Sequence, residues 1–78
     1  MTVYIFFASG QVDVSVIDRC CTPGPIDLIG YSRNAKDAVL QVIENKPQVV
    51  VIDSRNATDA AIRVMRELWN LDLVVIII

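Results

Sequence analysis

Histidine is absent from the 78-residue chain, and cysteine occurs only twice. Without histidine the chain cannot form a Ser/His/Asp or Cys/His nucleophile system, and it has no imidazole to offer a metal. Two cysteines cannot build a closed zinc site. These absences argue against a hydrolase or a zinc module, and we expect no catalytic residue and no metal ligand in this segment.

Positive charge is also scarce, with seven Lys and Arg residues against nine Asp and Glu, a net charge of −2. No basic patch is available for nucleic acid or an anionic membrane, so neither is an expected partner. The apolar runs are far shorter than the ~18 residues of a membrane span, and no positive stretch precedes the first of them. With no sign of targeting to a membrane or to secretion, we expect a cytoplasmic location. No glycine-rich nucleotide motif occurs, so we expect no cofactor.

The two cysteines, Cys20 and Cys21, are adjacent. A disulfide between neighbours is strained, and two cysteines are too few for a disulfide-rich secreted scaffold. We therefore expect reduced intracellular thiols that serve as packing residues. The alternative, a redox pair, lacks the spacer of a Cys-x-x-Cys motif.

Hydrophobic residues make up 54% of the chain and favour a packed core. Apolar runs predict strands at residues 3–8, 49–53 and 73–78, the first of them buried on both faces and the second central in a parallel sheet. Residues 26–31 alternate weakly and predict a further short strand. Residues 11–21 are ambiguous, because Val12, Val14 and Val16 alternate as in a strand while Asp13, Val16, Ile17, Cys20 and Cys21 recur at helical spacing. Two prolines and a glycine predict a loop at residues 22–25.

Two helices are predicted from capping and spacing. The first begins at Asn34 and ends at Asn45-Lys46-Pro47. Its apolar stripe consists of Ala35, Ala38, Val39, Val42 and Ile43. The second has Thr58 or Asn56 as its N-cap and closes at Asn70. Its expected buried stripe consists of Ala61, Ile62, Met65, Leu68 and Trp69. For Trp69 with Met65 and Leu68, the alternative role is a docking site.

Strands that alternate with helices of 10 to 12 residues are typical of βαβ crossovers, so residues 11–21 are best interpreted as a helix. The predicted class is α/β, a parallel sheet with flanking helices in a flavodoxin-like or receiver-like arrangement, with βα repeats that end on the fourth strand. Nothing follows to pair or cover that strand. We expect either that residues 1–78 are an incomplete domain of a longer protein, or that a second copy completes the sheet.

Ligands of such sheets bind at the carboxyl ends of the strands, where the strand order reverses. There the pattern places Phe7, Ala8 and Ser9 beside Asp53, Ser54 and Arg55. Asp53 can serve as a reactive acid, cap the following loop, or pair with Arg55. Arg55 is a candidate anion-binding or contact residue, with an exposed salt bridge as its alternative role. One acid and one arginine are too few for a general acid and base pair.

The middle of the chain resembles a bacterial response-regulator receiver domain. The residues that carry the resemblance are Gly30-Tyr31, Ala35, Ala38, Leu40 and the run Lys46-Pro47-Gln48-Val49-Val50-Val51-Ile52-Asp53. The resemblance implies the phosphoacceptor position for Asp53. It spans the first four of the family's five βα units.

The departures from that family are specific. Receivers hold Mg²⁺ with an acidic pair at the end of the first strand, where this chain has Phe7 and Ala8. The usual Met-Pro after the phosphoacceptor is replaced by Arg55-Asn56. The resemblance is therefore to a pseudo-receiver, in which Asp53 is vestigial.

Further short matches lie in Phe7-Ala8, in Val51-Ile52-Asp53 followed by Arg55, and in residues 61–66. They are similar to the receiver-like N-terminal domain of eukaryotic PAS-containing high-affinity cAMP-specific phosphodiesterases. The resemblance implies a non-catalytic regulatory module that acts through contacts with other domains of its chain or with a second copy in a homodimer. The alternative is a working receiver phosphorylated at Asp53.

Overall fold

The computed structural model describes residues 1–21 and 26–78. Strands and helices alternate along the chain, as the sequence pattern predicts. They are β1 (Thr2–Phe7), α1 (Val14–Cys21), β2 (Asp27–Ser32), α2 (Ala35–Asn45), β3 (Val49–Asp53), α3 (Thr58–Leu68) and β4 (Val74–Ile77). The ambiguous segment is a helix from Val14 onward. The loop predicted at residues 22–25 and the packing predicted for the Cys21 side chain lie outside what the structure describes.

All strand pairs are parallel, and the order across the sheet is β2-β1-β3-β4. The order reverses between β1 and β3, as in the flavodoxin-like arrangement. The predicted α/β class with a parallel sheet and flanking helices is confirmed. The reversal brings the carboxyl ends of β1 and β3 together, with Phe7 opposite Asp53.

The central strands are buried on both faces because helices cover the sheet from both sides. On one face, Tyr4, Phe6, Val50 and Ile52 pack against α2 and α3. On the other face, Val3, Ile5, Phe7, Val49 and Val51 pack against α1 through Val16, Ile17 and Cys20. The packing role predicted for Cys20 and the core role predicted for Tyr4, Phe6 and Phe7 are confirmed.

Helix α2 has both predicted ends. The side chain of Asn34 accepts hydrogen bonds from the backbone N–H groups of Lys36 and Asp37, at 2.9 and 3.3 Å. Lys46 ends the helix in the left-handed region with φ of 50°, and its N–H donates to the carbonyl of Val42. The buried stripe is narrower than predicted, because Ile43 lies at the surface, 51% exposed.

Helix α3 departs from its prediction at both ends. Its N-cap position is Ala57, which makes no side-chain cap, instead of Thr58 or Asn56, and the helix ends at Leu68, two residues before Asn70. The buried residues of α3 are Ala61, Val64 and Leu68. Val64, which the prediction omitted, is therefore part of the buried face of the helix. Ile62 is 36% exposed, and Trp69 is 73% exposed because it follows the end of the helix. The prediction that Trp69 is buried is wrong.

Strand bounds differ from the predictions by one residue, except at β3, which matches. Strand β1 ends at Phe7, so Ala8 follows it, and β4 covers Val74–Ile77. Strand β2 continues through Gly30 to Ser32. The pairing of β1 with β2 is irregular at this point, and a Cβ on Gly30 would lie 3.3 Å from the ring of Tyr4.

Strand β4 pairs with β3 along one side, and within the described residues no strand pairs with its other side. Its residues are partly exposed. No helix in the described part of the chain is both long enough and apolar enough to cross a bilayer.

Candidate functional site

The candidate site lies at the carboxyl ends of β1 and β3. The backbone N–H of Ala8 donates to the carbonyl of Asp53 at 3.0 Å, which extends the pairing of the two strands by one bond. The Asp53 side chain is almost completely buried, with 1% of the residue exposed. A carboxylate at this depth needs hydrogen-bond donors or a cation beside it.

Arg55 supplies both the donors and the cation. Its Nε lies 3.0 Å from Oδ1 of Asp53, and its Nη2 lies 2.7 Å from Oδ2. The backbone N–H of Arg55 adds a third bond, to Oδ1 at 3.2 Å. The pairing is bidentate, which is the strong geometry for a guanidinium and a carboxylate. Both oxygens of Asp53 are therefore occupied by the residue two positions later.

A second carboxylate joins the same guanidinium. Asp13, in the segment between β1 and α1, forms an ion pair with Nη2 of Arg55. Its Oδ1 accepts from the backbone N–H of Ser15 at 2.9 Å and from the Ser15 hydroxyl at 2.6 Å. Two carboxylates around one guanidinium leave one net negative charge.

The sequence analysis did not select Asp13 as a site residue. It lies 42 positions from Arg55, and only the return of β3 beside β1 brings them together. One local signal was available. Asp13 precedes Ser15 by two positions at the start of a helical pattern, which is typical of a side chain that bonds the first turn.

The pKa values follow this arrangement. Hydrogen bonds from Ser15 and then from Arg55 lower the pKa of Asp13 from 3.8 to about 2. The hydrogen bond from the Arg55 side chain lowers the pKa of Asp53, although burial opposes it. The bonds to Asp53 and Asp13 raise the pKa of Arg55, so its guanidinium stays charged. All three groups are ionised at neutral pH.

A shallow cleft of about 300 Å³ opens above these groups. It is lined by Ser9, Gln11, Val12, Asp13, Val14, Arg55 and Asn56. Asn56 has φ of 59° and Gly10 has φ of 84°, so both flanking loops turn sharply here. The Arg55 side chain, which lines this cleft, is 57% exposed.

The two positions expected to be acidic in receivers are apolar. Phe7 is completely buried on the α1 face, and its ring meets the edge of the Tyr31 ring with centroids 5.9 Å apart. Ala8 packs against the cluster on the opposite face. Neither residue offers an oxygen ligand. Within residues 1–21 and 26–78, no group of three or more Cys, Asp or Glu side chains is placed to hold a metal ion.

Comparisons of the chain with protein-family models, with curated proteins and with solved structures find no match. The site is therefore interpreted from its own geometry. A buried acid, a bidentate arginine and a second acid form a closed ion-pair network. Such a network positions two loops at the sheet edge and leaves neither oxygen of Asp53 unoccupied.

Proposed function

We propose that this chain is a non-catalytic regulatory module of the pseudo-receiver type, which acts through contacts with other domains of its protein or with a second copy of itself. The observation that carries the proposal is the bidentate pairing of Arg55 with Asp53. An acid whose two oxygens both accept hydrogen bonds from a guanidinium is a weak nucleophile, since its lone pairs are already engaged.

The surroundings of Asp53 support the same conclusion. Transfer of a phosphoryl group requires cations that offset the charge on its oxygens. Phe7 and Ala8 provide no ligand for such a cation, and Arg55 already neutralises part of the charge of Asp53 and Asp13. A phosphoryl group on Asp53 would have to displace Arg55 from the oxygen of Asp53 to which it bonds.

The short sequence matches extend the proposal to a parent protein. We place the module at the N-terminal side of a cAMP-specific phosphodiesterase, in a cytoplasmic location. Hydrolysis of the cyclic nucleotide would belong to a different, metal-dependent domain, because this chain has no histidine to ligate a metal. The module itself would hold no cofactor.

Phosphate incorporation tests the proposal directly. The chain is incubated with acetyl phosphate and Mg²⁺, and its intact mass is measured before and after quenching. The proposal predicts no phosphorylated species. The control variant Arg55→Met keeps the length of the side chain and releases both oxygens of Asp53, so it tests whether the arginine is what prevents the reaction.

A phosphorylated wild-type chain whose modification is abolished by Asp53→Asn would overturn the proposal and establish a working receiver. An unmodified wild type supports it. If Arg55→Met alone becomes modified, the arginine is identified as the group that silences Asp53.

A further inference from the structure

Helix α2 presents apolar side chains to solvent. Its inner face packs on β1, β2 and α3, and Ala38 and Val42 are buried there. On the outer face, Leu40 is 56% exposed and Ile43 is 51% exposed. The helix lies over β1 and β2, at the end of the sheet opposite to β4, so the exposure of its outer face does not depend on what pairs with β4.

Two residues of opposite charge flank Leu40 at equal spacing. Lys36 lies four residues before it and Glu44 lies four residues after it, so the three side chains follow one stripe along the helix. Both charged residues are exposed, and neither forms an ion pair with any residue in the ranges 1–21 and 26–78. The order along the stripe is therefore positive, apolar, negative.

From this pattern we infer that the outer face of α2 is a homodimer interface, in which the α2 helices of two copies pack antiparallel about a two-fold axis beside Leu40. A two-fold contact uses the same surface on both copies, so that surface must complement itself. Here Lys36 of each copy faces Glu44 of the other, and Leu40 faces its own counterpart. The inference deepens the proposed function, because it rests on the proposal that the module acts through contacts and names the surface and the partner.

The groove between α2 and α3 provides a place for Ile43 of the other copy. The groove has a volume of about 330 Å³, and Ala35, Val39 and Val64 are among the residues that line it. Ile43 lies on the α3 side of α2, beside Leu71. The two-fold axis keeps the α3 sides of the two copies together and brings each Ile43 level with residue 37 of the other copy. Each Ile43 therefore lies over the groove of its partner.

The charges on α3 favour a second copy over a strongly charged partner. Asp59 and Glu67 are negative, Arg63 and Arg66 are positive, and all four are exposed. Their charges sum to zero, as do those of the flanking pair on α2. Two copies of this face therefore meet without net repulsion, whereas an acidic or a basic partner would meet charges of its own sign.

The size of the face predicts a weak dimer. Two adjacent helices of 11 residues each form a face about 16 Å long and about 20 Å wide. A standard interface buries about 800 Å² per partner, and a face of this size buries less. We expect reversible association with a dissociation constant on the order of 100 μM.

Mixing two charge variants tests the inference. A dimer of Lys36→Glu would bring together four glutamates, and a dimer of Glu44→Lys would bring together four lysines. Each variant alone should therefore dimerise about tenfold more weakly than the wild type, or worse. In a mixture of the two variants every facing pair again has opposite charges, so a heterodimer should form with wild-type affinity. Sedimentation equilibrium at rising concentration measures all of these samples.

The matched controls change the same charges on α1, which lies on the opposite face of the sheet. Arg19→Glu and Asp18→Lys change the net charge by the same amounts as the two α2 variants, and both residues are exposed. We expect each control to dimerise as the wild type does. A loss of association in the controls as well would assign the effect to net charge and contradict the facing pairs.

Cysteine cross-linking tests the position of the axis. Two Leu40→Cys copies would place their Cα atoms about 4 to 6 Å apart, which a disulfide can span. Two Lys36→Cys copies would hold theirs about 12 Å apart along the helices. We expect mild oxidation to cross-link the first variant well above the wild-type background and to leave the second at that background.

A chain that stays monomeric up to about 1 mM, or a dimer that Lys36→Glu leaves intact, overturns the inference. A mixture of the charge variants that associates no better than either variant alone also overturns it. The proposed function is tested separately by phosphate incorporation. A monomer that takes no phosphate contradicts the α2 interface and leaves other domains of the parent protein as the partners, whereas a dimer that takes phosphate contradicts the proposed function alone.

Discussion

The guanidinium of Arg55 contacts both oxygens of the Asp53 carboxylate, with Nε 3.0 Å from Oδ1 and Nη2 2.7 Å from Oδ2. Asp53 is buried at the end of β3, whereas more than half of the Arg55 side chain is exposed. The arginine thus reaches back over the strand end and covers the acid. The stability, pH dependence and reactivity of the site should all depend on this pair.

Removal of the Asp53 carboxylate should destabilise the fold. Asp53→Ala eliminates three charge-assisted hydrogen bonds at a buried position and leaves Arg55 with Asp13 as its ion-pair partner. We expect the free energy of unfolding in urea to fall by about 2 kcal/mol. The control is Asp18→Asn, which removes an exposed acid on α1. It should change the free energy of unfolding by less than about 0.5 kcal/mol. Equal stabilities of the two variants would show that the pair contributes nothing.

The stability of the chain should depend on pH in the acidic range. The folded pKa of Asp13 lies at about 2, below its ordinary value of 3.8, and that of Asp53 is also lowered. A carboxyl with a lowered folded pKa stabilises the fold above pH 3.8, and this contribution is lost as the pH falls toward 2. Urea unfolding at a series of pH values should show this decline, and Arg55→Met should show a smaller one.

The titration of Asp13 can be assigned to its causes. The hydrogen bonds from Ser15 lower its pKa more than those from Arg55. Carbon-detected NMR titration should therefore show a raised pKa of Asp13 both in Ser15→Ala, which loses the hydroxyl donor, and in Arg55→Met, which loses the guanidinium. An unchanged pKa in either variant would remove that side chain from the causes.

Adjacent residues at the end of α3 should respond very differently to truncation. Leu68 is 1% exposed, and Leu68→Ala should lower the free energy of unfolding by about 2 to 5 kcal/mol. Trp69 is 73% exposed, and Trp69→Ala should change the free energy of unfolding by less than about 0.5 kcal/mol. Comparable losses would place the tryptophan in the core.

The N-cap of α2 offers a local test. Asn34→Ala removes the acceptor for the N–H groups of Lys36 and Asp37 and should reduce stability by about 1 kcal/mol. Asn34→Asp keeps an acceptor oxygen for these N–H groups and should therefore preserve most of the stability that Asn34→Ala loses. Thermal unfolding of the two variants side by side measures the difference.

Much of the fold could be predicted from the sequence because local signals agree with one another. The β-branched run of β3 and the cap at Asn34 each specify an element by themselves. Helix α3 was less predictable, since Ala57 provides no cap and several registers of its apolar residues are similar. Its contact with the sheet selects the stripe that ends at Leu68, and this turns Trp69 outward.

The site was only half predictable. Asp53 and Arg55 are close in sequence and follow a buried strand, so their proximity was visible from the pattern. Asp13 belongs to a different loop, and its approach to Arg55 depends on the crossover that places β3 beside β1. The local signal at Asp13, its spacing to Ser15, indicates a side chain that bonds the first helical turn and does not indicate the pairing with Arg55.

Arg55 should keep Asp53 from binding a phosphoryl group. This can be measured in an amide NMR spectrum of the chain, recorded alone and then with Mg²⁺ and beryllofluoride, which mimics an aspartyl phosphate. We expect dispersed peaks that the additions do not move. Saturable shifts around Asp53 and Arg55 in the wild-type chain, absent in Asp53→Asn, would contradict it.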